Sequence, residues 1–171
     1  MASKRSGVPG WSFDMAKKRL LWDESASASS NAKVRLPAML EAYFDQGRKL
    51  VGRSSSVSPM HPFRLETKAL RYTLELFRPC FGPGLEGFLL SLRRIQDCLG
   101  ALNDYVTTRD LIATRLPTRA PDRQKMDRVL TARAKRKSLE FRHYWRQTFD
   151  KPGEDQRWMH YLSRPRTATR S

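Results

Sequence analysis

The sequence predicts an all-α protein: an antiparallel four-helix bundle with long amphipathic helices and flexible basic tails. Two observations support this class. Apolar residues recur at steps of three and four through four segments, which is the period of an amphipathic helix. Short connections rich in proline and glycine separate these segments, as expected between antiparallel neighbours. With 171 residues, the chain suits one domain plus tails. We therefore expect the bundle at 33–150, a tail at 1–32 and a basic tail at 151–171.

The amino-terminal tail has two recognisable parts. In its first part, Trp11, Met15 and Trp22 recur at helical spacing among basic residues. This segment is either a loosely ordered terminus or a short amphipathic helix that docks on the domain or on an anionic surface. The Ser/Ala run at 25–32 follows, and its composition is typical of a flexible linker.

The first and third helices have clear boundaries. The first runs from about Val34 to Gly52, with Pro37 expected in its first turn, where a proline is tolerated. The third begins at Leu85 and carries the strongest apolar seam of the sequence. A glycine inside this helix costs about 1 kcal/mol relative to alanine, so Gly100 predicts the close approach of a neighbouring helix or a ligand. The seam consists of Leu85, Phe88, Leu92, Ile95, Leu99, Leu102 and Val106.

The second helix, at 60–77, carries a stripe of cations. The four residues follow one another at steps of three, four and three, so they share one face of a helix. Apolar ridges border the stripe on both sides, which suggests an anionic partner; alternatively, the alkyl stems lie along the core and the charged heads reach water. With Pro62 at the first helical position, His61 is expected at the N-cap, beside free N–H groups that favour anions. The stripe consists of His61, Arg64, Lys68 and Arg71.

The fourth helix is predicted from Asp122 to about Phe149 and is strongly basic. It contains nine Lys and Arg residues against three acidic ones. Arg133 and Lys137, four residues apart, could share an edge that leans inward. A solvated basic face explains the other cations, and we expect it for Arg123, Lys125 and Arg142. The apolar inner face is expected to consist of Met126, Leu130, Phe141, Tyr144, Trp145 and Thr148.

The composition of the chain limits the classes of function and partner that it can have. The formal net charge of +16 and the pI near 10.6 predict attraction to polyanions such as nucleic acid, anionic lipid or condensed phosphate. The sequence has no metal-ligand cluster, glycine-rich phosphate loop or catalytic triad spacing, so we expect no cofactor, no metal and no enzymatic activity. Cys80 and Cys98 are expected to be buried apolar residues. Because no apolar run reaches the roughly 20 residues of a membrane span, and no signal peptide is evident, we expect a cytoplasmic protein.

Two ordered motifs resemble a known family. The second helix reads HPFRLETKALRYTLE from His61, and the third reads LRRIQDCLGALND from Leu92. Over about residues 33–149, this pattern is similar to the second repeat of the CHAD family, the conserved histidine α-helical domain. The resemblance implies helical bundles that bind inorganic polyphosphate along basic surfaces. It also implies association with polyphosphate granules or with CYTH-type triphosphatases.

The resemblance implies a site. We assign polyphosphate contact to His61, Arg64, Lys68, Arg71, Lys49, Arg93, Gln96, Arg133 and Lys137. The residues expected to orient or support them are Tyr72, Gly100, Asn103 and Asp104. This chain departs from the family pattern in one large respect. Full members of the family contain two four-helix bundles, whereas this chain has room for one. Either two chains pair as a homodimer that rebuilds the double bundle, or the half-length domain has a weaker site.

Three other functions remain open. The charge would also attract RNA, although no recognition motif is evident. A phosphate-metabolising enzyme or its accessory subunit is a second alternative, with His61 as phospho-acceptor or base. A scaffold that connects granules to other proteins through its tails is a third.

Overall fold

The computed structural model describes residues 23–52 and 60–165. The predicted amino-terminal helix around Trp11 and Trp22 lies outside these residues. Within the described ranges every regular element is helical, which confirms the all-α class. The elements are α1 (Ala28–Gly52), α2 (Met60–Leu76), a 3-10 turn (Arg78–Cys80), α3 (Leu85–Arg115), α4 (Pro121–Thr148) and α5 (Glu154–Leu162).

Helix α1 begins earlier than predicted. Ser27 acts as its N-cap, because the backbone N–H of Ser30 donates to the Ser27 hydroxyl at 3.1 Å, which satisfies a free donor of the first turn. The buried amide of Asn31 donates to the carbonyl of Asp23 at 2.9 Å and so holds the preceding turn against the helix. The prediction of a flexible linker through residue 32 is therefore wrong from Ala28 onward. Pro37 lies well inside α1 and not in its first turn.

Aromatic rings hold α1, α2 and α4 together. Tyr43 of α1 stacks on Phe63 of α2 with ring centroids 4.9 Å apart, and its hydroxyl lies 3.2 Å from that of Thr67. Gly47 of α1 lies directly under the Trp145 ring of α4, where any Cβ would overlap the indole. Only glycine therefore allows α1 and α4 to pack at this distance.

The order of contacts defines how the helices are arranged. His61 near the start of α2 contacts Asn103 of α3, and Arg71 further along α2 contacts Gln96 earlier in α3. These two helices therefore run in opposite directions. Helices α1 and α3 each pack against both α2 and α4. Helices α2 and α4 lie diagonally across the core, where Phe63 meets the ring of Phe141 with centroids 5.9 Å apart.

Helices α3 and α4 extend beyond the core. Helix α3 has 31 residues and α2 has 17, or about 46 Å against about 26 Å at 1.5 Å per residue. The last buried residue of α3 is Leu102, and the first of α4 is Ala134. Met126 was predicted in the inner face, but it is 47% exposed. That prediction is wrong because α1 and α2 end before they reach it.

The carboxyl-terminal segment is partly ordered on the bundle. Helix α5 buries Trp158 completely against Phe88, with ring centroids 3.9 Å apart. Arg48 of α1 bonds Asp155 at the start of α5 at 2.5 Å, and the Tyr161 hydroxyl donates to the carbonyl of Gly82 at 2.9 Å. The predicted carboxyl-terminal tail at 151–171 therefore contains a helix that packs on the bundle.

The burial of Arg142 contradicts the prediction that its side chain belongs to a solvated basic face of α4. Its side chain is buried, and Nη1 donates to the carbonyls of Leu50 and Val51 at 3.1 and 2.8 Å. These carbonyls lie in the last turn of α1, where no intrahelical donor remains for them. Arg142 therefore caps α1. Lys125 is exposed, as predicted, and Arg123 is partly buried, with Nη1 donating to the carbonyl of Leu116 at 2.7 Å.

Candidate functional site

The four cations of the predicted stripe all lie in α2, along the side that meets α3. His61 contacts Asn103, Arg64 lies over Gly100, and Arg71 contacts Gln96. The contacts alternate along the two helices, so the cations border one continuous surface. We call this surface the α2–α3 groove. Its members are His61, Arg64, Lys68, Arg71, Gln96, Gly100 and Asn103.

His61 occupies a different position from the one predicted. Because α2 begins at Met60, His61 lies inside the first turn and is not the N-cap. Its Nδ1 lies 2.6 Å from the Oδ1 of Asn103. An amide oxygen only accepts hydrogen bonds, so Nδ1 is the donor and carries the hydrogen in the neutral ring.

Arg64 and Lys68 form the unpaired part of the groove. Both are partly buried, and neither forms an ion pair with any described residue. The Nε of Arg64 is buried without a hydrogen-bond partner in the structure. This atom lies 4.0 Å from the place where a Cβ on Gly100 would be. Gly100 thus lies under the Arg64 side chain, and a small side chain would still fit there.

Arg71 is held by its neighbours. Its Nε donates to the Gln96 Oε1 at 2.9 Å, and Nη1 forms an ion pair with Glu75 one turn later. Its guanidinium lies 4.4 Å above the centre of the Tyr72 ring, and the side chain is only 11% exposed. Arg93 reaches the same Glu75 carboxylate at 4.0 Å. Glu75 therefore neutralises part of the stripe. This role of Glu75 was not predicted, although its four-residue spacing from Arg71 is a signal for such a pair.

The structure separates Lys137 from the groove. Its Nζ donates to Glu140 Oε2 at 2.8 Å, and this bond raises the pKa of Lys137 and lowers that of Glu140. The other oxygen of Glu140 lies 3.6 Å from Arg94 and accepts a bond from the Cys98 thiol at 3.4 Å. Arg94 and Cys98 lie on the side of α3 that faces α4, so Lys137 lies on the opposite side of α3 from the groove.

Three further candidates make no side-chain contact with the groove. Lys49 is exposed in the last turn of α1, Arg133 is exposed on α4, and Asp104 is exposed on α3. The Asp104 carboxylate has no hydrogen bond or ion pair within the described part of the chain, unlike Gln96 and Asn103. The structure therefore brings together the α2 stripe with two amides of α3, and not with the α4 cations.

Glu66, which is partly buried, and Cys98, which is buried, have shifted pKa values but lie outside the groove. Burial raises the pKa of Glu66 to about 7. Its carboxylate faces α1, where the Gln46 amide nitrogen, turned toward it, donates at 2.7 Å. Desolvation and the nearby Glu140 raise the pKa of Cys98 to about 11. Cys98 is therefore an unreactive thiol, since the thiolate is the nucleophile. Cys80 and Cys98 are both buried, as predicted.

Residues 23–52 and 60–165 contain neither a metal-ligand cluster nor a membrane-spanning helix. No group of three or more His, Cys, Asp or Glu side chains there could hold a metal ion. No helix in these ranges is both apolar enough and long enough to cross a bilayer.

Comparison with known proteins gives one match. The family model described as the CHAD domain matches residues 12–113. The match includes the segment before α1 and ends within α3, so it differs from the range of about 33–149 expected from the motifs. No curated protein and no solved structure matches the chain. The matched region covers more than half of the sequence and contains the whole α2–α3 groove. The chain therefore belongs to the CHAD domain family.

Proposed function

We propose that this protein binds inorganic polyphosphate in the α2–α3 groove and does not transform it. One observation carries the proposal: Arg64 and Lys68 follow His61 along an open edge of the bundle, without an ion-pair partner among the described residues. The family is associated in general with polyphosphate binding and metabolism. The large positive charge of the chain, +16, adds long-range attraction to any such anion.

The groove offers complementary donors to a phosphate chain. The planar guanidinium of Arg64 can donate two parallel hydrogen bonds to phosphate oxygens, whereas Lys68 supplies a mobile point charge. Gln96 and Asn103 add a second type of donor. Their amide oxygens accept from Arg71 and His61, which leaves both NH₂ groups free to donate to a ligand. Cations on α2 and amides on α3 would thus contact successive phosphates from two sides.

Binding of this kind depends strongly on salt. A polyanion that docks on several cations releases condensed counterions, so its affinity falls steeply as salt rises. We expect submicromolar affinity for long-chain polyphosphate, with weaker binding as the chain shortens. RNA is also a polyanion, but among the described residues Tyr72 is the one exposed Phe, Tyr or Trp ring beside the groove, and this ring lies against Arg71. Single-stranded nucleic acid favours several stacking surfaces.

Anisotropy titrations with labelled long-chain polyphosphate test the proposal. Unlabelled polyphosphate, RNA of equal charge and tripolyphosphate serve as competitors at several salt concentrations. We expect polyphosphate to compete best at physiological salt. Stronger competition by RNA would contradict the assignment of the ligand. Release of inorganic phosphate by the pure protein would contradict the non-catalytic role and favour an enzyme.

The cellular role follows from the same site. We extend the proposal to recruitment of the protein to cytoplasmic polyphosphate granules, where it would organise the polymer or recruit partners such as a CYTH-type triphosphatase. Pairing of two chains would bring two grooves together and increase avidity. A fluorescent fusion of the protein should overlap with granules, and the overlap should be lost when Arg64 and Lys68 are replaced by alanine.

A further inference from the structure

The outward face of α4 carries a second row of cations. Six exposed basic residues of α4 fall within an arc of about 100° on the helix. One of them, Arg146, reaches the carbonyl of Val51 at 3.5 Å, and the other five extend over about 27 Å. All five are exposed. We call this row the α4 stripe; it consists of Lys125, Arg128, Lys135, Arg136 and His143.

No residue in the described part of the chain neutralises the α4 stripe. None of its members forms an ion pair with any described residue, and the acidic residues of α4 lie on other faces. Glu140 is bound to Lys137 on the side of α4 that faces α3, and Asp127 lies 3.9 Å from Arg109 of α3. Arg128 has a single contact, a 3.4 Å bond to the carbonyl of Gln124 in its own helix. An unbalanced row of this length attracts an extended polyanion.

The α4 stripe and the α2–α3 groove face opposite directions. On α2, Phe63 points inward, away from His61 and Lys68. On α4, Phe141 and Trp145 point inward, away from the stripe. Phe63 meets both of these rings across the core, with centroids 5.9 and 5.6 Å apart. The two cationic surfaces therefore lie on opposite sides of the bundle, and one short strand cannot contact both.

We propose that the α4 stripe is a second polyphosphate-binding surface, so that one chain bridges two polyphosphate segments. The inference rests on the proposed function of the groove and adds a consequence, namely that the protein cross-links the polymer. Bridging by a monomer would condense long polyphosphate chains without any contact between protein chains. It would also explain how a small non-catalytic protein could organise such a polymer.

The chemistry of the α4 stripe favours a bare phosphate chain over other polyanions. Its residues include no Phe, Tyr or Trp ring for base stacking, with the small imidazole of His143 as the one ring, and no Asn or Gln side chain for base edges. An anionic membrane would require an apolar strip beside the charges. The exposed large apolar side chains of α4 are Leu139, within the arc, and Val129 and Met126, outside it, at 57%, 44% and 47% exposure. At helical spacing these three point in different directions and form no continuous strip.

A sandwich assay separates bridging from simple binding. Full-length protein is loaded on beads that carry long-chain polyphosphate, the beads are washed, and fluorescent polyphosphate is added. The test variant is Lys135→Gln with Arg136→Gln, and the matched control is Lys33→Gln with Lys151→Gln. Both variants remove two exposed positive charges. Circular dichroism verifies that each variant is folded.

The outcomes distinguish the two proposals. We expect wild type and the control to capture the fluorescent chain, and the α4 variant to load on the beads within about twofold of the control while it captures about tenfold less. Equal capture by the α4 variant and the control would overturn the α4 assignment. If wild-type protein loads on the beads but captures no fluorescent polyphosphate, bridging is overturned and the proposed binding in the α2–α3 groove stands. If wild-type protein does not load on the beads, polyphosphate binding in the groove is itself overturned. Capture of fluorescent RNA but not polyphosphate would overturn the choice of ligand.

Discussion

Arg71 and Glu75 form an ion pair one helical turn apart on α2, beside the unpaired cations of the groove. The pair is well supported, because Gln96 accepts from the Arg71 Nε at 2.9 Å and the Tyr72 ring lies under its guanidinium. Glu75 also lies 4.0 Å from Arg93. The groove thus contains one internal anion that competes with an external one for two arginines.

Removing this internal anion should strengthen binding. For Glu75→Gln we predict an affinity for long-chain polyphosphate about threefold higher than wild type, because Arg71 and Arg93 become available. The same change should lower the free energy of unfolding by about 1 kcal/mol, since Arg71 loses its partly buried partner. Anisotropy titration and urea denaturation measure the two effects. Glu41→Gln, an exposed change of equal charge on α1, is the control, and an equal gain in that variant would show that only net charge matters.

Gly100 should respond differently to a small and a large side chain. A Cβ at this position meets only Arg64 Nε, at 4.0 Å. Gly100→Ala should therefore leave polyphosphate affinity within about twofold and stabilise α3 by about 1 kcal/mol. Gly100→Leu should displace the Arg64 side chain and weaken binding about fivefold or more. Thermal unfolding verifies that both variants are folded, and equal affinities of the alanine and leucine variants would contradict the placement of Arg64 in the groove.

The contact between His61 and Asn103 should contribute to binding. The Nδ1 of His61 lies 2.6 Å from the Oδ1 of Asn103, so each side chain orients the other at one end of the groove. We predict that His61→Ala and Asn103→Ala each weaken the binding of long-chain polyphosphate about threefold, as measured by anisotropy titration. An affinity equal to that of wild type in both variants would exclude this end of the groove from the binding site.

Glu66 should make the stability of the fold depend on pH. Burial raises its pKa from 4.5 to about 7, so between these values the folded state holds a proton that the unfolded state has released. Stability contributed by this group is therefore present at low pH and is lost as pH rises to about 7. With a discount for partial exposure, the loss is about 1–2 kcal/mol. Urea unfolding at pH 5 and pH 8 should show a smaller difference for Glu66→Gln, and equal differences would contradict the burial of the carboxyl.

The helical segments of the bundle could be predicted because local signals define them. The apolar seam of α3 begins at Leu85, where the helix begins, and α4 begins at Pro121, one residue before the prediction. The start of α1 was placed too late, because serines that suit a linker also cap helices, as Ser27 does here. Helix α5 was missed as an element because it is short and depends on contacts of Trp158 with distant rings.

The site was predictable on α2 and less so elsewhere. Helical spacing alone places the four residues on one side of α2. The structure places His61, Arg64 and Arg71 beside Asn103, Gly100 and Gln96 of α3, respectively. The positions and partners of the Arg142 and Lys137 side chains could not be derived from helical spacing. Arg142 is buried because its acceptors are carbonyls of α1 that lie 91 and 92 residues away in sequence. Lys137 faces α3 from the side opposite the groove, a relationship set by the packing of α4.

Replacement of both unpaired arginine and lysine side chains is the most direct test of the groove. The measurement is the dissociation constant for labelled long-chain polyphosphate as a function of salt, for Arg64→Ala with Lys68→Ala and for the control Lys33→Ala with Lys151→Ala. We predict binding at least about tenfold weaker than in the control, with a salt slope lower by about two, because two phosphate contacts are lost. An affinity within about twofold of the control and an unchanged slope would contradict polyphosphate binding in the α2–α3 groove.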